Sequence, residues 1–237
     1  IRKTQIKKLQ AAGIHTLEAL GKLTPDVRVP KIAPEALAKI SSQAALQWKA
    51  RQTGQSQLEI LPQELKRGFM RLPRPAKGDL FFDMEGNPLE EGGLEYLFGL
   101  YFLEHGKAQF KPFWAHTRKE EKFAFEQFMD YVTQHLSNHP DAHIYHYAPY
   151  EETALKRLMT LHGTREAEVD NLLRAGKLID LYKVVREGIR VSEPRYSIKN
   201  IEHYYLEARS GEVTNAGASI VYYERWKDSG DQQLLRD

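Results

Sequence analysis

The stretch Phe81-Phe82-Asp83-Met84-Glu85-Gly86-Asn87 decides how the rest of this chain is read. It follows a basic, Pro-rich segment and opens an alternating apolar run, the pattern of a β-strand. Successive strand side chains point to opposite faces, so Asp83 and Glu85 share one face while Phe82 and Met84 occupy the other. Residues two apart on a strand stand about 7 Å from each other. Two carboxylates held at that spacing on a rigid element invite a hard divalent cation. Gly86 then ends the strand and leaves room for a close approach to the backbone. The plainer alternative is a strand end with two solvated acids, and the flanking sequence has to separate the two.

Working outward, strand 79–85 is followed by a Gly/Pro/Glu turn and a second apolar, aromatic run over 94–104. Gly106 marks another turn before a third strand, 108–115, and two such short connections imply an antiparallel meander. An amphipathic helix is predicted over 118–137, with Phe123, Phe125, Phe128, Met129, Val132 and Leu136 available for burial. Phe and Trp residues over 110–128 read as core. A strand at 142–147 leads to Pro149, which suits the first turn of a helix reaching about residue 161. The remainder reads as helical, over 165–175, 179–187, 197–206, 219–228 and from about 231. Three antiparallel strands, a helix, a strand and then helices describe an α/β fold on a mixed sheet.

A second acidic point lies where the fourth strand meets its helix, in Tyr147-Ala148-Pro149-Tyr150-Glu151-Glu152. Glu151, Leu155 and Leu158 stand at i, i+4 and i+7, so Glu151 continues the face that packs inward. Glu152 pairs with Lys156 at i, i+4 and belongs to the solvent side. The helix dipole favours a carboxylate in the first turn, yet it does not explain one tilted inward. Glu151 is therefore the third candidate acid.

Before residue 79 the pattern differs. A helix over 2–11 carries Ile6 and Leu9 on one face and Lys3, Lys7 and Lys8 elsewhere. Gly13 ends it, and Thr16 can cap a second helix, 17–23. Helix, tight turn, helix resembles a helix-hairpin-helix, a module that offers backbone N–H groups and basic side chains to phosphates; a plain helical hairpin is the alternative. Pro34 opens a longer helix to about residue 52, with Leu37, Ile40, Ala44 and Trp48 on its apolar side. The sequence thus divides into a basic helical module (1–54), a connector (55–78) and an α/β domain (79–237). Residues 1–78 carry fifteen Lys/Arg against five Asp/Glu, and the rest nineteen against twenty-seven. A basic segment beside an acidic one suits a nucleic-acid-holding module beside a metal-binding one.

The chain has 237 residues, 41% hydrophobic and 28% charged, ordinary for a globular protein with a real core. No apolar run approaches the roughly 18 residues of a membrane span, and no signal peptide is visible. Absence of cysteine excludes disulfides and thiolate metal sites and sits easily with a cytoplasmic protein. Ile1 in place of Met leads us to expect a fragment or processed product.

Four segments together carry a resemblance: residues 82–88, 95–100, His146-Tyr147-Ala148-Pro149-Tyr150-Glu151, and Tyr196-Ser197-Ile198-Lys199-Asn200-Ile201-Glu202. They resemble the ribonuclease H-like domain of predicted RecB-family nucleases, which is similar to DEDD-type 3′–5′ exonucleases. The likeness covers nearly all of 79–237, and the region around Gly13 resembles the helical linker that precedes that domain. It implies a ribonuclease H-like mixed sheet preceded by a small all-helical segment. Asp83 and Glu85 match the paired acids of the family's first motif, and Glu151 the acid of its second. The family's last motif, of Tyr-Asn-x-x-Asp type, finds no match, and Asp237 does not fit it. A fourth carboxylate is therefore expected to be missing and this fragment to be weak or inactive.

What the resemblance implies chemically is phosphodiester hydrolysis with two Mg²⁺ or Mn²⁺ ions. Asp83 would bridge both ions, Glu85 would hold the one carrying the attacking water, and Glu151 would serve the second. The implied partners are nucleic acid, DNA before RNA, no membrane, and other domains of a longer parent such as a second nuclease domain or a helicase. Secondary candidates are Tyr147 and Tyr150 for stacking on a terminal base, and Arg195, Lys199, Lys7 and Lys8 for phosphates. Asp180 reads as an N-cap and His146 as an ordinary hydrogen-bonded histidine. The rival reading is a non-catalytic nucleic-acid-binding or scaffold module.

Overall fold

A computed structural model describes residues 1–206 and 216–235. The expected position of a final acidic motif, Asp237 included, lies outside the described residues. In chain order the first elements are α1 (Lys3–Ala11), α2 (Leu17–Gly21), α3 (Pro34–Thr53) and β1 (Leu58–Ile60). Next come β2 (Leu80–Asn87), β3 (Leu94–Glu104), β4 (Lys107–Trp114), α4 (Arg118–Asn138), β5 (Ile144–His146) and α5 (Tyr150–His162). The last are α6 (Glu166–Arg174), β6 (Leu178–Asp180), α7 (Leu181–Gly188), β7 (Ile189–Val191), α8 (Ile198–Ile201) and α9 (Ala216–Ser229). Among the described residues no helix is long and apolar enough to cross a membrane.

The chain forms two compact units, one from residues 1–71 with 184–205, the other from 72–183 with the chain after 205. In the first unit, Gly13 takes a positive φ (78°) at the turn, and the Thr16 hydroxyl accepts the Ala19 N–H at 3.0 Å to cap α2. Leu9, Leu20, Val29, Leu37 and Ala44 form its core. Ile6, expected beside Leu9, is exposed instead. The stretch read as a connector contains β1 and a 3₁₀ turn, Gly68–Arg71. Strand β1 pairs antiparallel with β7, so residues 184–205 belong to this unit although the sequence divides at 78/79. Neither three-residue strand carries a length or alternation that periodicity can detect. The helix expected over 197–206 is only α8 followed by a 3₁₀ turn, Glu202–Tyr204.

The second unit is built on a five-stranded mixed sheet in the order β4-β3-β2-β5-β6. Strands β2, β3 and β4 form the antiparallel meander, while β5 and β6 run parallel to β2. Leu80, Phe82 and Met84 of β2 meet Phe98 and Leu100 of β3 on the face covered by α4 and α5. Phe125, Phe128, Met129 and Val132 of α4, with Leu155 and Leu158 of α5, fill that layer. This is the α/β mixed sheet expected, enlarged by β6. The helix predicted over 179–187 begins instead at Leu181, its first two residues closing β6, because so short an apolar run does not distinguish strand from helix.

Two aromatic expectations fail. Phe123 is 60% exposed and Phe110 58% exposed, although both read as core. Phe123 sits on the solvent side of α4. Phe110 belongs to a row on the second sheet face, registered with Tyr101 and, beyond it, Phe81. Phe81 in turn stacks on Tyr145 of β5 at 5.4 Å between ring centroids. Asp83 lies two residues along β2 from Phe81, on that same open face.

Candidate functional site

Strand β2 delivers the first acids as its alternation dictates. Leu80, Phe82 and Met84 are buried, whereas Asp83 faces out and Glu85 is half-buried. Opposite Asp83 stands Gly99 of β3, and the place of its missing side chain is taken by the Phe110 ring, 3.0 Å from where a Cβ would stand. The Met84 N–H donates to Asp83 Oδ1 at 3.0 Å, fixing the carboxylate against its own strand. Between Glu85 and Gly86 the register with β3 shifts, a bulge that re-aims the side chains beyond it.

Glu151 arrives from the other side. Strand β5 is parallel to β2 and hydrogen-bonded to it, so both strands end at the same edge of the sheet. Three residues past β5, Pro149 caps α5, and Glu151 occupies its first turn, buried to 3% exposure with Leu155 and Leu158. There its carboxyl comes close enough to that of Asp83 to interact with it directly. Crowding by protein, followed by the neighbouring Glu151 charge, pushes the Asp83 carboxyl above the usual carboxylate range. Glu152 points away and pairs with Lys156.

His146, the last residue of β5, is buried beneath this pair. Its Nδ1 lies 2.7 Å from the Ala148 carbonyl oxygen and 3.3 Å from Glu151 Oε2. Both are acceptors, so Nδ1 carries the proton. Burial opposes a charge on the ring, but Glu151, the Ala148 carbonyl and Asp180 together outweigh it and raise its pKa. Asp180, at the end of β6, is registered beside His146. Its Oδ1 accepts the N–H groups of Tyr182 at 2.9 Å and Ala148 at 3.1 Å, so the N-cap reading holds and a second partner is added.

A further buried acid was missed. Glu95 of β3 is 3% exposed, and both its oxygens accept from the Tyr150 hydroxyl, at 2.8 and 2.9 Å. Arg157, two turns along α5, bonds the same carboxylate. Desolvation raises the Glu95 pKa, a rise that Tyr150 and Arg157 partly offset. One carboxylate thus ties α5 to β3 at two points, and Gly86 is the residue that makes room for it. A Cβ at Gly86 would stand 2.4 Å from Glu95 Oε2 and 2.9 Å from the Tyr150 hydroxyl. The available signal was a lone acid inside the apolar run Leu94-Glu95-Tyr96-Leu97.

The other sequence candidates are scattered. Tyr150 is half exposed with its hydroxyl committed to Glu95, and Tyr147 meets the Tyr182 ring edge-on at 5.9 Å. Arg195 and Lys199 are exposed in the first unit and not in the one that carries Asp83. Lys7 is exposed there too, while Lys8 donates to the Lys31 carbonyl at 2.7 Å.

Asp83 and Glu151 interact directly. Among the described residues no group of three or more His, Asp or Glu side chains gathers closely enough to hold a metal ion. Glu85 stays on the same strand, where its charge helps to push the Tyr96 phenol up to about 12, after the larger effect of burial. Two touching carboxyls, one with a raised pKa, fit a single hard divalent ion whose shell water completes. The described residues do not supply the fuller carboxylate cage that two ions need.

No curated protein and no solved structure matches this chain. A family model of the RNase H superfamily, RNase_H_2, matches residues 80–237, which begin at the first residue of β2. The meander, the two added parallel strands and the acid on the central strand agree with that match, and the chain belongs to the RNase H superfamily.

Proposed function

We propose that the second unit is a divalent-metal-dependent nuclease that hydrolyses nucleic-acid phosphodiesters, of the DEDD-like 3′–5′ exonuclease type. The observation that carries this reading is the approach of the Glu151 carboxyl, in the first turn of α5, to that of Asp83 on β2, the strand beside β5. The order of strand addition reverses at β2, β3 having paired on one side of it and β5 on the other. In open α/β sheets such a switch point, outside the carboxyl ends of the strands, is where ligands bind.

Asp83 and Glu151 would hold the cation, Mg²⁺ or Mn²⁺, by oxygen alone, as these hard ions require. Such an ion, when bound, supplies charge neutralisation at the phosphate and acidifies a water molecule. A cation favours the ionised form of Asp83 that its raised pKa disfavours, so metal binding and loss of a proton are linked. Glu85, on the same strand face, adds negative potential beside the pair and can take a proton from the attacking water. Tyr150 offers a half-exposed ring next to the acids, a stacking surface for a terminal base.

The test is cleavage of end-labelled single strands, DNA and RNA, with free or blocked 3′ ends in millimolar Mn²⁺. The expected result is metal-dependent loss of free 3′ ends that disappears in Asp83→Ala and Glu151→Gln. Equal cleavage by wild type and both variants refutes the reading. One observation favours a second reading, a nucleic-acid-binding module without catalysis: among the described residues no three acids or histidines gather to hold a metal, while residues 1–78 carry ten more positive charges than negative. Metal-independent binding without cleavage would support it.

A further inference from the structure

The connection that brings Glu151 to Asp83 is held in an unfavourable backbone conformation. Ala148 has φ of +80°, in the left-handed region where a Cβ is crowded. It also precedes Pro149, whose ring restricts the preceding residue further. A non-glycine residue persists there only when its surroundings over-determine it.

Both polar backbone groups of Ala148 are bound by buried side chains. Its carbonyl accepts from His146 Nδ1 at 2.7 Å, and its N–H donates to Asp180 Oδ1 at 3.1 Å. The two side chains come from adjacent, parallel-paired positions of β5 and β6. Of their far atoms, His146 Nε2 is buried without a hydrogen-bond partner, and Asp180 Oδ2 faces Lys183 Nζ at 3.8 Å. Both side chains therefore make their hydrogen bonds through the near atoms, the ones that hold Ala148.

We propose that His146 and Asp180 are positioning residues that clamp Ala148 from both sides, and that this clamp sets the first turn of α5 so that Glu151 meets Asp83. The inference rests on the reading of Asp83 and Glu151 as the metal-holding pair, but the clamp itself is a statement about geometry. Without it, the Tyr147-Ala148-Pro149 connection relaxes to a negative φ and swings the Glu151 carboxyl out of contact.

The experiment compares Asp180→Leu, Asp180→Asn, His146→Phe, Ala148→Gly and the double variant Asp180→Leu/Ala148→Gly. Crystal structures of the metal-free proteins read the Ala148 φ and the Asp83–Glu151 contact, and calorimetry with Mn²⁺ reads affinity. Asp180→Asn keeps an acceptor for the Ala148 N–H and should retain the contact. Asp180→Leu and His146→Phe should lose it and weaken Mn²⁺ binding about 10–100-fold, the usual effect of removing a partner behind a metal ligand. In the double variant glycine takes the positive φ unaided, so contact and affinity should return. The stability lost with the cap on Tyr182 should not return, which separates positioning from a merely structural role.

An unmoved Glu151 in Asp180→Leu, or a double variant that fails to restore the contact, overturns the clamp. Should the leucine variant not fold, Ala148→Gly alone decides. Relief of strain should raise Tm by about 2–4 °C, and an unchanged or lowered Tm refutes a strained, clamped Ala148. Wild type that binds no Mn²⁺ while the structures behave as expected removes the metal reading and leaves the clamp standing.

Discussion

Replacing Asp83 by Asn should make the metal-free protein more stable at neutral pH. Asn is nearly isosteric, and its Oδ1 still accepts the Met84 N–H that now reaches Asp83 at 3.0 Å. Its amide also donates permanently to Glu151, a bond the native pair forms only by sharing a proton. What disappears is repulsion between two adjacent carboxylates. At about 4 Å that repulsion is about 1 kcal/mol in water and about 4 kcal/mol near a protein surface. Asp83 is solvent-exposed, so the lower part of the range applies, about 1–2 kcal/mol. For a chain of this size the gain corresponds to a Tm rise of about 2–8 °C. The pH dependence has a definite sign. The folded Asp83 pKa lies above its unfolded value, so the native state holds the extra proton between the two, and wild-type stability falls as pH rises through that window. The advantage of Asp83→Asn should therefore be full above the folded pKa and vanish below the unfolded one. Thermal unfolding in EDTA at several pH values measures this, and added Mn²⁺ should stabilise wild type more than the variant. A variant less stable than wild type at pH 8 in EDTA refutes the picture of two repelling carboxyls.

Other parts of the scaffold give simpler expectations. Gly86→Ala places a Cβ 2.4 Å from a Glu95 oxygen that Tyr150 and Arg157 hold fast, so overpacking should cost about 1–3 kcal/mol, read by urea denaturation. Arg157→Leu strips one partner from a buried carboxylate, and a loss of about 1–3 kcal/mol is expected, most of it recovered in Arg157→Leu/Glu95→Gln; a double variant no better than the single one argues against that pairing. In the first unit, Arg71 and the Gly68 N–H hold the Glu187 carboxyl down to about 2. A depressed folded pKa contributes stability above the unfolded carboxylate range that is lost as pH falls through about 2, so Glu187→Gln should flatten the acid side of the stability profile while leaving its alkaline side alone.

Much of the sheet was legible because its strands are long and patterned. The bounds of β3 were read to the residue, and the two faces of β2 follow directly from its alternation. Glu151 was legible for a related reason: its helix repeats at i, i+4 and i+7, and a charged residue on an otherwise apolar stripe has few explanations. What escaped were elements defined by their partners. Strands β1, β6 and β7 have three residues each, and only hydrogen bonding to a distant strand makes them strands. Phe110 and Phe123 misled because aromatic character was taken for burial, although folded proteins expose much apolar surface. Glu95 escaped because an acid within a strand reads as a solvated edge until Tyr150 and Arg157, both on α5, are seen to converge on it.

The site combines two devices that oppose stability and are held by the rest of the unit. Two carboxyls are brought into contact, and the loop that brings them there keeps an alanine at a φ meant for glycine. Neither arrangement is favourable by itself, and each needs anchors. For Ala148 these are His146 and Asp180, at paired positions of neighbouring strands. For α5 the anchor is Glu95, fully buried and reaching both its first turn and its third. Local cost fixed by surrounding rigidity is how binding and catalytic sites are commonly built. A fold selected for stability alone would have placed asparagine at 83 and glycine at 148. The chain has neither, which argues that the carboxyl pair is what this part of the sheet is organised to present.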